Sequence, residues 1–132
     1  MRRPDPVALT PAYRIILAIT RPVVWWSRLR VIGAHNLPLE GATLVVSNHD
    51  SYWDPIAIGT AARQQRQVRA LAKSTLWKNR PLAWFMDGMG HIPVSRGTNN
   101  DEAIRAAVDA LNRGLCIGVF PEATRSLGRV LR

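Results

Sequence analysis

The feature that most constrains this chain is a regular alternation of short apolar segments with helical segments after residue 30. Runs of β-branched and other apolar residues predict strands at 30–33, 43–46, 68–72, 91–94 and 115–120. Strands separated by helices favour parallel pairing, because parallel neighbours need a crossover connection. We therefore predict an α/β fold with a mostly parallel central sheet flanked by helices.

The helical segments carry recognisable start signals. Asp54 is expected to cap a helix, since a proline follows it and aspartate accepts hydrogen bonds from free helical amides. Residues 77–86 are expected to be helical in part, with Pro81 marking a new start. Asn100 is expected to cap a helix over residues 100–113, which has acidic residues in its first turn.

The N-terminal segment predicts a helix over residues 7–29 that is broken at Pro22, because proline removes a backbone donor and clashes with the preceding turn. Arg14, Arg21 and Arg28 are spaced seven residues apart, so they share one face of a helix. Apolar side chains surround these arginines along the segment.

Two adjacent tryptophans, Trp25 and Trp26, add to this pattern. Arginines beside tryptophans and aliphatic residues are typical of the boundary between water and lipid. The alternative is a helix that packs on its own domain with its arginines in solvent. We expect residues 1–29 to form an amphipathic helical segment at a membrane surface and residues 30–132 to form the domain.

Charge and composition narrow the classes of partner. Eighteen basic residues against nine acidic ones give a net charge of +9, which attracts nucleic acid, anionic lipid headgroups or phosphorylated substrates. We expect no nucleic-acid partner, because the arginines are interleaved with apolar residues and no nucleic-acid motif is present. The single cysteine, Cys116, excludes an internal disulfide and a cysteine-rich zinc site, and we expect no metal.

His49 is the first candidate for chemistry. It follows a predicted strand directly, and ligands of α/β sheets usually bind where strands end. In a turn that leads into a helix, the carboxylate of Asp54 can fold back onto the imidazole and act as the orienter of a general base. Asp50 is a rival partner that spacing does not exclude, and a histidine that only bonds its own loop is the other alternative. Cys116 is expected inside a buried strand, where a thiol is inert.

Three cations follow the other predicted strands: Lys73, Arg96 and Arg125. An arginine beyond the end of a strand can hold a phosphate by two parallel hydrogen bonds. Taken singly, each is more often a solvated surface residue. Because the carboxyl ends of parallel strands meet at one edge of a sheet, the three together predict an anion site near His49.

Three motifs in order resemble those of one family. Residues 48–54 (N-H-D-S-Y-W-D) are similar to its H-x4-D block, residues 90–96 (G-H-I-P-V-S-R) to its second block and residues 120–126 (F-P-E-A-T-R-S) to its third. Over residues 28–132 the chain resembles the lysophosphatidic acid acyltransferases, the 1-acylglycerol-3-phosphate O-acyltransferases of phospholipid synthesis. The resemblance implies the glycerolipid acyltransferase fold.

The resemblance also implies a reaction. The family moves an acyl group from acyl-CoA or acyl carrier protein to the free hydroxyl of lysophosphatidic acid, giving phosphatidic acid. His49 would be the general base and Asp54 its orienter, with no cofactor and no metal. The residues implied in holding the phosphorylated glycerol are Arg96, Glu122, Thr124 and Arg125, with Lys73 as a weaker further cation. A lipid acceptor implies a peripheral enzyme at the cytoplasmic face of the cell membrane, bound to an anionic surface.

Two departures from the family pattern qualify this interpretation. Ala123 stands where the third block usually has glycine, which affects acceptor choice or rate if that position needs a positive φ. The sequence stops at Arg132, before the further strand and fourth block that the family carries. We expect a truncated chain with weak or no activity. The alternatives are a membrane-binding relative without turnover and an acyltransferase for another lysolipid.

Overall fold

The structure is a computed structural model that describes residues 8–95 and 100–121. Its strands are β1 (Thr43–Val46), β2 (Val68–Lys73), β3 (Ile92–Val94) and β4 (Cys116–Val119). They form one sheet in the order β1-β4-β2-β3, and every neighbouring pair is parallel. The predicted α/β fold with a parallel sheet is confirmed, and the carboxyl ends of the strands meet at one edge.

Helices cover both faces of this sheet. They are α1 (Pro11–Trp26), α2 (Asp54–Ala62), α3 (Arg80–Gly88) and α4 (Asp101–Asn112), with a 3₁₀ turn at Ser74–Lys78. On one face α4 packs on Ile92 and Ile117, and on the other α2 packs on Val68 and Cys116. None of the helices within residues 8–95 and 100–121 has the length and apolar content needed to cross a bilayer.

The predicted strand at residues 30–33 is wrong. Gly33 adopts a left-handed φ of 78°, which ends the extended run, and a 3₁₀ turn at Ala34–Asn36 follows it. Ile32 is 92% exposed and pairs with no strand of the described sheet. Apolar β-branched composition at this point therefore does not lead to strand pairing.

The predicted break at Pro22 is also wrong, since α1 continues through it to Trp26. The carbonyl that proline leaves without a donor belongs to Ala18, an exposed residue, so water can hydrate it. Arg28 lies beyond the end of the helix with a φ of 54°. Of the three arginines predicted to share one face of a helix, only Arg14 and Arg21 lie in α1.

The N-terminal half of α1 is fixed to the domain by a buried amide. Gln67, which has no exposed surface, accepts from the backbone N–H of Thr10 at 2.8 Å and donates to the carbonyl of Met89 at 2.7 Å. Tyr13 is buried beside it, and its hydroxyl lies against Gly59 of α2, where a side chain would clash. The start of α1 is thus part of the core.

A buried arginine holds the amino ends of the strands together. Arg66 donates to the carbonyls of Pro38, Gly41 and Gly114 and to the hydroxyl of Thr43, at 2.6 to 3.2 Å. These oxygens, three carbonyls of the loops before β1 and β4 and the hydroxyl of the first residue of β1, stabilise its charge, because they replace water around a buried guanidinium. The contacts fix the relative positions of the strand that leads to His49 and of its neighbour.

The side chain of Asn100 does not cap α4 as predicted. Its Oδ1 accepts from the backbone N–H of Ser95 at 3.1 Å instead. Asn100 therefore joins the end of β3 to the start of α4.

His91 is a half-buried histidine whose ring is neutral at neutral pH. Its Nδ1 accepts from the backbone N–H of Ala70 at 2.9 Å. Burial, assisted by the nearby charge of Arg69, lowers the pKa of His91 to about 4. The unfolded chain therefore binds the proton more readily than the folded one between pH 4 and 6.5.

This difference predicts a pH-dependent stability. The free energy of unfolding should fall by up to about 3 kcal/mol as the pH is lowered from 6.5 to about 4, because protonation favours the unfolded state in that window. Urea titrations across this range measure it. In His91→Gln, which keeps an acceptor but does not titrate, the slope should largely vanish. The exposed His35→Gln should leave the slope unchanged, and an unchanged slope in His91→Gln would contradict the assignment.

Candidate active site

The site lies in the loop between β1 and α2, at the carboxyl edge of the sheet. The backbone N–H of Ser47 donates to the carbonyl of Val119 at 3.2 Å, so pairing of β1 with β4 continues into the loop. This contact places His49 beside the residue that follows β4.

One carboxylate oxygen organises the loop. Oδ2 of Asp54 accepts from the backbone N–H of Asp50 at 2.6 Å and of Ser51 at 2.7 Å. The same oxygen lies 3.1 Å from Nδ1 of His49. The prediction that Asp54 caps its own helix is therefore wrong. Its side chain turns back from the first helical position and satisfies loop amides that would otherwise lack a partner.

The same contacts set the charge of this carboxylate. Burial raises the pKa of Asp54, but the N–H groups of Ser51 and Asp50 and the contact with His49 outweigh it, so the pKa lies below its ordinary value. A carboxylate next to Nδ1 accepts the proton carried there. Nε2 of the neutral ring is then the nitrogen with a free lone pair.

The rival partner of His49 is engaged elsewhere. The carboxylate of Asp50 accepts from Nδ2 of Asn48 at 3.0 Å. Nε2 of His49 has no hydrogen-bond partner within the part of the chain that the structure describes, and the side chain is 20% exposed. The geometry therefore pairs His49 with Asp54 and leaves Nε2 without a partner among the described residues.

Phe120 is a site residue that sequence reasoning did not identify. Its ring stacks on that of His49 with centroids 4.3 Å apart and an interplanar angle of 29°. The sequence did place Phe120 directly after β4, in the third motif. Its contact with His49 could not be predicted from this, because it requires β4 to lie beside β1 in the sheet. The imidazole is thus held between a carboxylate at its edge and an aromatic face.

Lys73 ends β2 on the same edge and is exposed, and its side chain has no hydrogen bond or ion pair to a described residue. Two strand spacings separate β2 from β1, a distance of about 10 Å. Ser95, directly after β3, shares a hydrogen bond of 3.1 Å between its hydroxyl and that of Ser74. Lys73 therefore shares the edge with His49 without contacting it.

The remaining predicted anion-binding residues lie outside the described residues: Arg96, Glu122, Thr124 and Arg125, together with Ala123. Cys116 is fully buried in β4, and burial raises the pKa of its thiol. This agrees with the expectation that it is inert. Within residues 8–95 and 100–121, no group of three or more His, Cys, Asp or Glu side chains is placed to hold a metal ion.

The family model described as Acyltransferase matches residues 28–132, most of the chain. This chain belongs to the acyltransferase family. The histidine, the carboxylate and the stacked aromatic ring all fall inside the matched region of this acyltransferase.

Curated relatives are 25–28% identical to this chain over the segments that match. The 1-acyl-sn-glycerol-3-phosphate acyltransferase of Bacillus subtilis is 25% identical over 87% of the chain and 54% of its own length. The chloroplastic 1-acyl-sn-glycerol-3-phosphate acyltransferase of Arabidopsis thaliana is 28% identical over 75% of the chain and 28% of its own length.

A third relative, the 1-acyl-sn-glycerol-3-phosphate acyltransferase of Streptococcus pneumoniae, is 26% identical over 62% of the chain and 31% of its own length. The chain thus spans about half the length of the Bacillus relative and less than a third of the other two. No solved structure matches the chain significantly.

Proposed function

We propose that this acyltransferase moves an acyl group from a thioester donor, acyl-CoA or acyl carrier protein, to the free hydroxyl of 1-acylglycerol-3-phosphate. The product is phosphatidic acid. The observation that carries the proposal is the contact between His49 and Asp54 with Nε2 free, among described residues, inside a region that matches the acyltransferase family. The names of the curated relatives support the choice of acceptor.

The chemistry follows from the ring nitrogens of His49. Nε2 takes the proton of the acceptor hydroxyl as its oxygen attacks the thioester carbonyl. The new C–O bond forms, the C–S bond breaks, and the imidazolium gives its proton to the departing thiolate. The carboxylate of Asp54 stabilises the imidazolium, and general-base catalysis of this kind contributes about 10²–10⁴ in rate. Neither an acyl-enzyme nor a cofactor takes part in this scheme.

The acceptor carries a phosphate that needs cations. We assign its binding to Arg96 and Arg125, with Glu122 and Thr124 as further contacts of the phosphorylated glycerol. Lys73 supports this assignment because it is exposed and unpaired, among described residues, at the edge where His49 lies. Holding the phosphate fixes the hydroxyl against Nε2, and such positioning lowers the entropic part of the barrier.

The acceptor is an amphiphile, so the enzyme must meet it at a lipid surface. The C-terminal half of α1 supports this, since Trp25 and Trp26 are 81% and 79% exposed next to arginines. Exposed tryptophans beside basic residues suit the headgroup region of a membrane. We propose a peripheral location on the cytoplasmic face, where acyl-CoA and acyl carrier protein are found.

The base assignment predicts the effect of removing the imidazole. His49→Ala should lower the rate of acyl transfer by at least about 10²-fold, because no other group among the described residues can take the hydroxyl proton at that position. The assay supplies acyl-CoA and lysophosphatidic acid and follows free thiol. The control is His35→Ala, an exposed histidine away from the site. Thiol release that is equal in His49→Ala and wild type would contradict the assignment, and no release from the wild type would favour a membrane-binding relative without turnover.

The orienting carboxylate has a matched control in the same loop. Asp54→Asn should lower kcat by roughly 10²-fold or more, because an amide neither stabilises the imidazolium nor fixes the tautomer. Asp50→Asn removes the same charge from a side chain that contacts Asn48 rather than His49, so it should change kcat little. The measurement is kcat of both variants in the thiol-release assay. Equal losses in the two variants would show that general loop charge matters and the pair does not.

A further inference from the structure

A cavity lies between the C-terminal half of α1 and the end of α2. Its volume is about 330 Å³. Three arginines line it, Arg21, Arg28 and Arg63, together with the hydroxyl-bearing Thr60, Trp25 and three aliphatic side chains. None of the described residues that line it is acidic. The cavity therefore combines positive charge with an apolar wall.

This cavity is separate from the candidate active site. Thr60 lies in the last turn of α2 and Arg63 directly follows its end, whereas Asp54 begins that helix. The helical rise from Asp54 to Arg63 is about 13 Å. A phosphate group held by Arg63 therefore lies at the opposite end of α2 from the contact between Asp54 and His49.

The positive charge of the cavity is not neutralised by any acidic side chain among residues 8–95 and 100–121. The side chains of Arg21, Arg28 and Arg63 make neither a hydrogen bond nor an ion pair with any residue in the described ranges. Guanidinium groups gathered around one space repel each other unless an anion joins them. Phosphate suits them best, because the guanidinium fork matches two phosphate oxygens.

The backbone at Arg28 supports a binding role. Its φ of 54° is left-handed, at the position after a helix end where glycine is favoured. A non-glycine residue that keeps this conformation carries strain, and strain of this kind is concentrated at functional sites. Here the conformation brings a guanidinium to the cavity wall, which glycine would not supply.

The apolar wall indicates what carries the phosphate. Trp25 lines the cavity and is also 81% exposed, so the cavity borders an exposed aromatic side chain, and the next residue, Trp26, is 79% exposed. A phosphate attached to acyl chains would place its headgroup among the arginines and its chains along the tryptophans. A free phosphate would leave that surface in water.

We propose that Arg21, Arg28 and Arg63 bind the phosphate of an anionic membrane phospholipid, at a site distinct from the acceptor site beside His49. The proposal rests on the membrane-surface part of the proposed function and is independent of its chemistry. The bound lipid would anchor α1 against α2 while the acceptor enters elsewhere.

The test measures binding of the full chain to phosphatidylcholine vesicles with and without phosphatidic acid, by co-sedimentation. Arg63→Gln and Arg28→Gly should each weaken binding to phosphatidic acid vesicles by roughly tenfold, the loss of one charge-assisted contact. Arg14→Gln removes one charge from the same helix outside the cavity, and should weaken binding by no more than about fivefold. Arg28→Gly should not lower the melting temperature, since glycine relieves the strain.

Three other results would each contradict one element of the proposal: the defined site, the lipid ligand or the membrane surface. Equal losses of vesicle binding in Arg14→Gln and Arg63→Gln would show that overall positive charge, and not a defined site, binds the vesicles. Wild-type binding of inorganic phosphate that competes fully with vesicles would make the ligand a soluble phosphate. Failure of the wild type to bind any vesicle would contradict both the lipid site and the proposed location at a membrane surface. His49→Ala should bind vesicles like the wild type, so a failed acyltransferase proposal leaves this test readable.

Discussion

The site depends on one oxygen atom, Oδ2 of Asp54, which accepts two backbone N–H groups and contacts the imidazole of His49. The backbone bonds fix the loop after β1, and the third contact fixes the ring. Because the same donors keep the pKa of this carboxyl low, the charge that orients the histidine persists at neutral pH. The same carboxylate oxygen of Asp54 therefore fixes both the conformation of the loop after β1 and the orientation of the His49 ring.

The sheet places Phe120 against His49, which the contacts of Asp54 alone do not do. Buried Arg66 ties the loops before β1 and β4, and parallel pairing of these strands brings Phe120 under the imidazole. At the opposite end of α2, Arg63 faces the basic cavity beside α1. The helix α2 thus begins at the contact between Asp54 and His49 and ends beside the cavity for which we propose a lipid, so a lipid bound there would also hold the helix that carries Asp54.

Local sequence patterns predicted the strands of the sheet and the residues of the His49–Asp54 contact. Period and turn residues located all four strands of the described sheet, and the spacing of His49 to Asp54 allowed the observed pair. The sequence allowed two roles for the Asp54 side chain, a helix cap and a contact folded back to His49, and the structure shows the second. The Phe120 contact was missed because the order β1-β4-β2-β3 joins segments far apart in sequence. The failed prediction of a break at Pro22 has a different cause, since proline is tolerated where the freed carbonyl meets water.

The most direct test of the central claim is the tautomer of His49, read from long-range ¹H–¹⁵N correlations of histidine-labelled protein at neutral pH. The geometry predicts a proton on Nδ1 of His49, held by Asp54, and a bare Nε2. His91 is an internal control of opposite sense, because its Nδ1 accepts from Ala70 and its proton must sit on Nε2. A neutral His49 ring protonated on Nε2 would contradict the account, since the base would then have no lone pair to offer the acceptor.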